Sequence, residues 1–103
     1  MRLPLNAITK IREAAKHHFG PQAKVWLFGS RVDDNKRGGD IDLYVEVDTP
    51  ISDRLLKTCR MDAEIQIALG EQKIDIVVFS PRQQRLRIHE IAKQTGVLLW
   101  IKG

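Results

Sequence analysis

A chain of 103 residues with 43% hydrophobic content holds enough apolar material for one core, so a single domain over residues 1–103 is expected. Seventeen basic and thirteen acidic residues leave a formal charge of +4 with no block of five like charges, which favours anionic partners without choosing among nucleotide, nucleic acid and acidic protein. One cysteine excludes an internal disulfide and a cysteine-based zinc framework; with no run of 18 apolar residues and no signal-peptide pattern, a cytoplasmic protein with no membrane association is expected.

In chain order, Leu5, Ile8, Ile11, Ala15 and Phe19 follow helical spacing, predicting a helix from 4 to about 18 that stops at Gly20-Pro21. KVWLF at 24–28 reads as a short strand. A polar loop over 30–39 ends in two glycines, and DIDLYVEV at 40–47 alternates with the period of a strand. Thr49-Pro50 or Ser52 then caps a helix running to 69, with Leu55, Leu56, Cys59, Ala63 and Ile67 expected inward and Gly70 as its stop. KIDIVVF at 73–79 is a further strand. Residues 82–95 form a basic amphipathic helix with Leu86, Ile88 or His89, Ile91 and Ala92 toward the core, stopped by Gly96. VLLWI at 97–101 closes the series as a strand, with Trp26 and Trp100 expected in the core. The order implies an α/β (α+β) fold, a mixed central sheet of about four strands flanked by helices.

Asp40 and Asp42 break the apolar character of the second strand. Residues i and i+2 share one face of a strand, so both carboxylates point one way while Ile41 and Leu43 point into the core. At about 4 Å and an effective dielectric near 20, two like charges repel by roughly 4 kcal/mol, so a cation is expected between them. Asp75 repeats the oddity between Ile74 and Ile76. If the two strands are neighbours, three carboxylates converge, and an all-oxygen donor set suits Mg²⁺ or Mn²⁺ better than zinc. Two such ions can clamp the attacking and leaving oxygens of a phosphoryl displacement. The plainer reading, a strand whose polar side faces water, loses weight because Gly29-Ser30 ends the preceding strand, where a glycine turn and a hydroxyl can receive an anion.

Gly29-Ser30, nine residues, then Asp40-Ile41-Asp42-Leu43: at this spacing the sequence resembles the nucleotidyltransferase superfamily typified by DNA polymerase beta. That family carries a hydrophobic residue, Gly-Ser, a variable loop, Asp-x-Asp and a third acid on a later strand, positions filled here by Phe28-Gly29-Ser30, Asp40, Asp42 and Asp75. The likeness extends through IHEIAKQTGVLLW and is greatest to the minimal nucleotidyltransferases of prokaryotes. It implies a polymerase-beta-like fold and transfer of AMP from ATP to a tyrosine hydroxyl of a helical HEPN-type toxin, the chain being the antitoxin of the pair. Carried over by position, Gly29 and Ser30 hold the triphosphate with Arg31 beside them. Asp40 and Asp42 bind two Mg²⁺, with Mn²⁺ as a substitute, and Asp75 ligates the catalytic metal and helps deprotonate the acceptor. Gly38-Gly39 departs from the Ser-Asp pair of many minimal members and puts the loop's geometry, not the ligands, in question.

The alternative is a binding module that silences its partner by complex formation with little or no catalysis. A basic nucleic-acid binder is disfavoured, because the sequence shows neither aromatic platforms nor a helix-turn-helix pattern; a homo-oligomer stays open. Cys59 reads as core. Lys36 and Arg37 share their loop with Asp33 and Asp34 and read as solvated, as do Arg82, Arg85, Arg87 and Lys93 on the last helix. His17 and His18, adjacent on a helix, are expected to diverge.

Overall fold

A computed structural model describes residues 5–28, 41–70, 73–81 and 87–99. These form three helices and a four-stranded mixed sheet, the α+β fold expected from the sequence. The strands are β1 (Lys24–Phe28), β2 (Ile41–Glu46), β3 (Ile74–Phe79) and β4 (Val97–Leu98), in the spatial order β3-β2-β1-β4. β1 runs antiparallel to β2 and β4, whereas β2 and β3 are parallel. A parallel pair needs a crossover to return the chain to the same end of the sheet. Helix α2 (Arg54–Leu69) supplies it, its 16 residues spanning about 24 Å.

Strand parity divides the side chains between two faces. Val25, Leu27, Ile41, Leu43, Val45 and Val78 join the main core with α1 (Leu5–Phe19) and α2. Trp26 and Tyr44 face the other way, where Ala92 of α3 (Arg87–Thr95) packs on them, flanked by Phe28, Val77 and Phe79. Trp26 is therefore buried as expected, while Trp100 lies outside the described residues.

The helices obey the same logic with two corrections. In α1 the buried set is Ala7, Ile8, Ile11, Ala14 and Ala15, and the helix ends where Gly20, at φ 98°, donates its N–H to the Lys16 carbonyl at 3.0 Å. In α2 the expected inward face is the outward one. Met61 and Ile65 are buried, whereas Leu55 is 78% and Ile67 86% exposed, and Leu56, Cys59 and Ala63 are exposed with them. The helix carries two apolar stripes about half a turn apart, and packing on α1 and the sheet selected the one containing Met61 and Ile65. Its start is also not a side-chain cap at Thr49 or Ser52: Asp53, at φ 53°, is the N-cap residue and makes no side-chain capping bond.

Helix α3 turns in the same manner. His89 and Ala92 are buried, while Ile88 and Ile91 are about two-fifths exposed, so of the expected inward residues the His89 and Ala92 pair is correct; Leu86, with Arg82 and Arg85, lies outside the described residues. Gly96 explains how closely the end of α3 approaches β1. A Cβ built there would stand 2.4 Å from the Ala92 carbonyl oxygen and 2.9 Å from that of Leu27, inside contact distance of backbone that cannot move aside. The strand after it is shorter than predicted, but Leu99 remains buried and donates its N–H to the Val25 carbonyl at 2.7 Å.

The two adjacent histidines converge instead of diverging. His17 donates from Nδ1 to one oxygen of Glu64 at 3.0 Å, and His18 from Nε2 to the other at 3.0 Å, tying the end of α1 to α2. Among the described residues no helix is long and apolar enough to cross a membrane.

Candidate active site

Two of the three acids named from the sequence lie in the described residues, and the sheet sets them side by side. Asp42 on β2 is the register partner of Asp75 on β3. Adjacent strands lie about 4.8 Å apart and partnered residues project to one face, so the two carboxylates leave the sheet together. Asp42 is half-buried and Asp75 exposed. On its other side Asp42 pairs with Phe28, the last residue of β1, which gives a row across the sheet of Phe28, Asp42 and Asp75.

Local sequence accounts for this placement. In IDLYVE the apolar members Ile41, Leu43 and Val45 are buried against α1 and α2, which sends Asp42, Tyr44 and Glu46 to the opposite face. In IDIVVF, Val78 is buried and Ile74 and Ile76 pack partly buried against the same core, which sends Asp75 out beside Asp42. A shift of one residue in the β2–β3 register would set Asp42 against an isoleucine and put either the charge or the isoleucine on the wrong face. The core therefore fixes the pairing of the acids.

Asp40, Gly29, Ser30 and Arg31 lie outside the described residues, as do Asp33, Asp34, Lys36 and Arg37. The structure does give the points from which those segments depart. The chain leaves β1 at Phe28, directly opposite Asp42, and re-enters at Ile41, whose N–H donates to the Lys73 carbonyl at 3.0 Å. Both ends of the Gly-Ser loop are thus attached at the acidic end of the sheet.

Two like charges so placed repel unless a cation stands near them, and their donors are hard carboxylate oxygens. Such a set fits Mg²⁺ or Mn²⁺ and not zinc, which draws on His and Cys. Among the described residues no group of three or more His, Cys, Asp or Glu side chains is arranged to hold a metal; Asp42 and Asp75 are the two sequence-predicted acids that the sheet sets together.

Sequence reasoning passed over the polar residues further along the same face. Tyr44, fully buried, donates its hydroxyl to Glu46 Oε2 at 3.0 Å, and Lys93 of α3 reaches that oxygen at 3.2 Å. The Lys93 ammonium also lies 5.6 Å from the centre of the Trp26 ring, and the buried His89 ring stacks at a tilt between Tyr44 and Phe79. These contacts fasten α3 to the strands that carry the acids. The signal was present in the alternation Asp42, Tyr44, Glu46, which puts all three on one face.

A family model described as "Polymerase beta, Nucleotidyltransferase" matches residues 9–102, nearly the whole chain. No curated protein matches it.

Proposed function

Since the chain belongs to the polymerase beta nucleotidyltransferase family, we propose that it catalyses metal-dependent transfer of AMP from ATP to a protein hydroxyl, a tyrosine of a HEPN-type toxin that it neutralises as antitoxin. The observation that carries this reading is the register match of Asp42 with Asp75 opposite the end of β1, where Gly29-Ser30 follows in the sequence. The toxin partner rests on the likeness to minimal nucleotidyltransferases. A protein acceptor suits a site whose outer carboxylate is exposed at the end of an open sheet.

In this reaction the acceptor oxygen bonds to the α-phosphorus of ATP as the bond from that phosphorus to the bridging oxygen of the β-phosphate breaks. Pyrophosphate leaves, and the hydroxyl proton passes to a base. Asp75, the more exposed acid, is placed to receive it or hand it to water. Asp42 and Asp75, with Asp40 two residues before Asp42, would hold the divalent ions. Ions bound there supply positive charge to the triphosphate and acidify the acceptor hydroxyl. Gly29 and Ser30 receive the phosphates through backbone N–H groups and a hydroxyl, with Arg31 adding a cation. The protein's own contribution is positioning and a fixed electrostatic environment.

The test is to inspect the neighbouring genes for a short helical HEPN-type protein and to incubate the chain with that protein, ATP labelled at the α-phosphate, and Mg²⁺. A mass increase of one AMP on a tyrosine of that protein, absent with EDTA and with Asp42→Asn, supports the proposal. Neutralisation that persists without any labelling, and that is unchanged in Asp42→Asn, contradicts it and leaves complex formation alone.

A further inference from the structure

The outward face of α2 plays no part in the site or the core. Leu55, Cys59, Ala63 and Ile67 form one row at intervals of four, and Leu56 lies beside it, all exposed. An exposed apolar row over three turns of helix marks a surface that another molecule covers. We propose that this occupant is a second copy of the chain, two α2 helices pairing antiparallel across a twofold axis.

Three features favour a copy of itself. First, the row is symmetric in size, with large residues at its ends, Leu55 and Ile67, and small ones, Cys59 and Ala63, about its middle. When rows of this spacing interdigitate, the helices cross at about −50°; the small central pair lets them approach, and each Leu55 meets the partner copy's residue at the other end of the row. Second, the charges of α2 are segregated. Arg54, Lys57 and Arg60 occupy the first half, Asp62 and Glu64 the second, Glu64 being also held by His17 and His18 of its own chain. An antiparallel copy brings each basic half toward an acidic one, whereas a parallel copy stacks like on like. Third, a groove of about 570 Å³ runs between α1 and α2, with Ala63 and Ile67 as well as the charged Arg60 and Glu64 on the α2 side and Lys10 and Glu13 on the other. In the antiparallel arrangement the neighbouring copy's Leu56 is the side chain that falls over this groove. The face is a single helix about 24 Å long, so the pairing is weak, in the micromolar range.

The intact chain is tested by sedimentation velocity over a range of concentrations reaching several hundred micromolar, with Ile67→Asp and Leu55→Asp in parallel. Both positions are largely solvent-exposed, and circular dichroism checks that the variants keep the fold. A reversible monomer–dimer equilibrium weakened by roughly tenfold or more in each variant is expected, since each buries an unpaired charge at the contact. The native Cys59 gives an independent reading, because it lies two residues from the row's midpoint and about 3 Å along the helix from the axis. A short bismaleimide should link wild-type chains as dimers and fail to link Ile67→Asp. A chain that stays monomeric throughout, leaving the face to a different protein, overturns the proposal. So does a dimer indifferent to both substitutions. Neither outcome bears on labelling of a partner by the acidic site, which is read separately.

Discussion

Asp75 stands exposed beside Asp42 with the core holding both in register, so in the absence of a cation its charge contributes little to stability. Asp75→Asn should change unfolding free energy by less than about 0.5 kcal/mol in urea denaturation with EDTA present. The same substitution should lower nucleotidyl transfer by on the order of 10²-fold or more, the scale of losing one fixed electrostatic stabiliser. A large loss of stability would mean that Asp75 is a structural residue. Tyr44 is the opposite case, buried and hydrogen-bonded to Glu46. Tyr44→Phe keeps the ring and removes the hydroxyl, and should cost about 1 kcal/mol. Glu46 keeps its Lys93 partner in that variant, so a cost several times larger would show the network to be more cooperative than its pairwise contacts.

At the level of elements, the helix between the two acid-bearing strands tests the packing. Met61→Ala should destabilise by roughly 2–4 kcal/mol, and Ile67→Ala by less than about 0.5 kcal/mol, as thermal and chemical unfolding would show. The reverse order would restore the inward face expected from the sequence. The strands were legible because period two leaves one solution: burying Ile41, Leu43 and Val45 forces Asp42, Tyr44 and Glu46 outward. Helix α2 was not, since RLLKTCRMDAEIQIAL offers apolar residues on two opposite faces and local spacing weighs them equally. Only the sheet and α1 decide between them. Helix α3 posed the same ambiguity, Ile88 and Ile91 against His89 and Ala92, and the aromatic surface of Trp26, Tyr44 and Phe79 selected the histidine. Gly96 follows from that choice. Gly96→Ala should destabilise by more than the exposed Ile67→Ala, because the added methyl meets backbone carbonyls of both α3 and β1.

Across the whole molecule, the sheet acts as a partition. One face carries the main core with α1 and α2; the other carries α3 over Trp26 and Tyr44 and, at its end, the acidic pair. The Glu64 bridge to His17 and His18 and the Glu46 bridge to Lys93 each fasten a helix to its layer, so the acids sit on a frame braced from both sides. The family was readable from the spacing of Gly29-Ser30, Asp40, Asp42 and Asp75, and the fold class from the order of helical and strand patterns along the chain. The outward apolar row of α2 was not readable as a surface, since a helix periodicity says which residues align and not what lies against them.

The most direct measurement of the central claim, that adjoining acids on β2 and β3 form a divalent-cation site, is paramagnetic broadening of backbone amide signals by Mn²⁺. Signals of Phe28, Asp42 and Asp75 should broaden at the lowest Mn²⁺ concentrations, and those of Lys24, Glu46 and Phe79, about 13 Å away along their strands, only later. Asp42→Asn should abolish the effect. Broadening centred on His17, His18 and Glu64 instead, or a gradient unchanged in Asp42→Asn, would contradict the account.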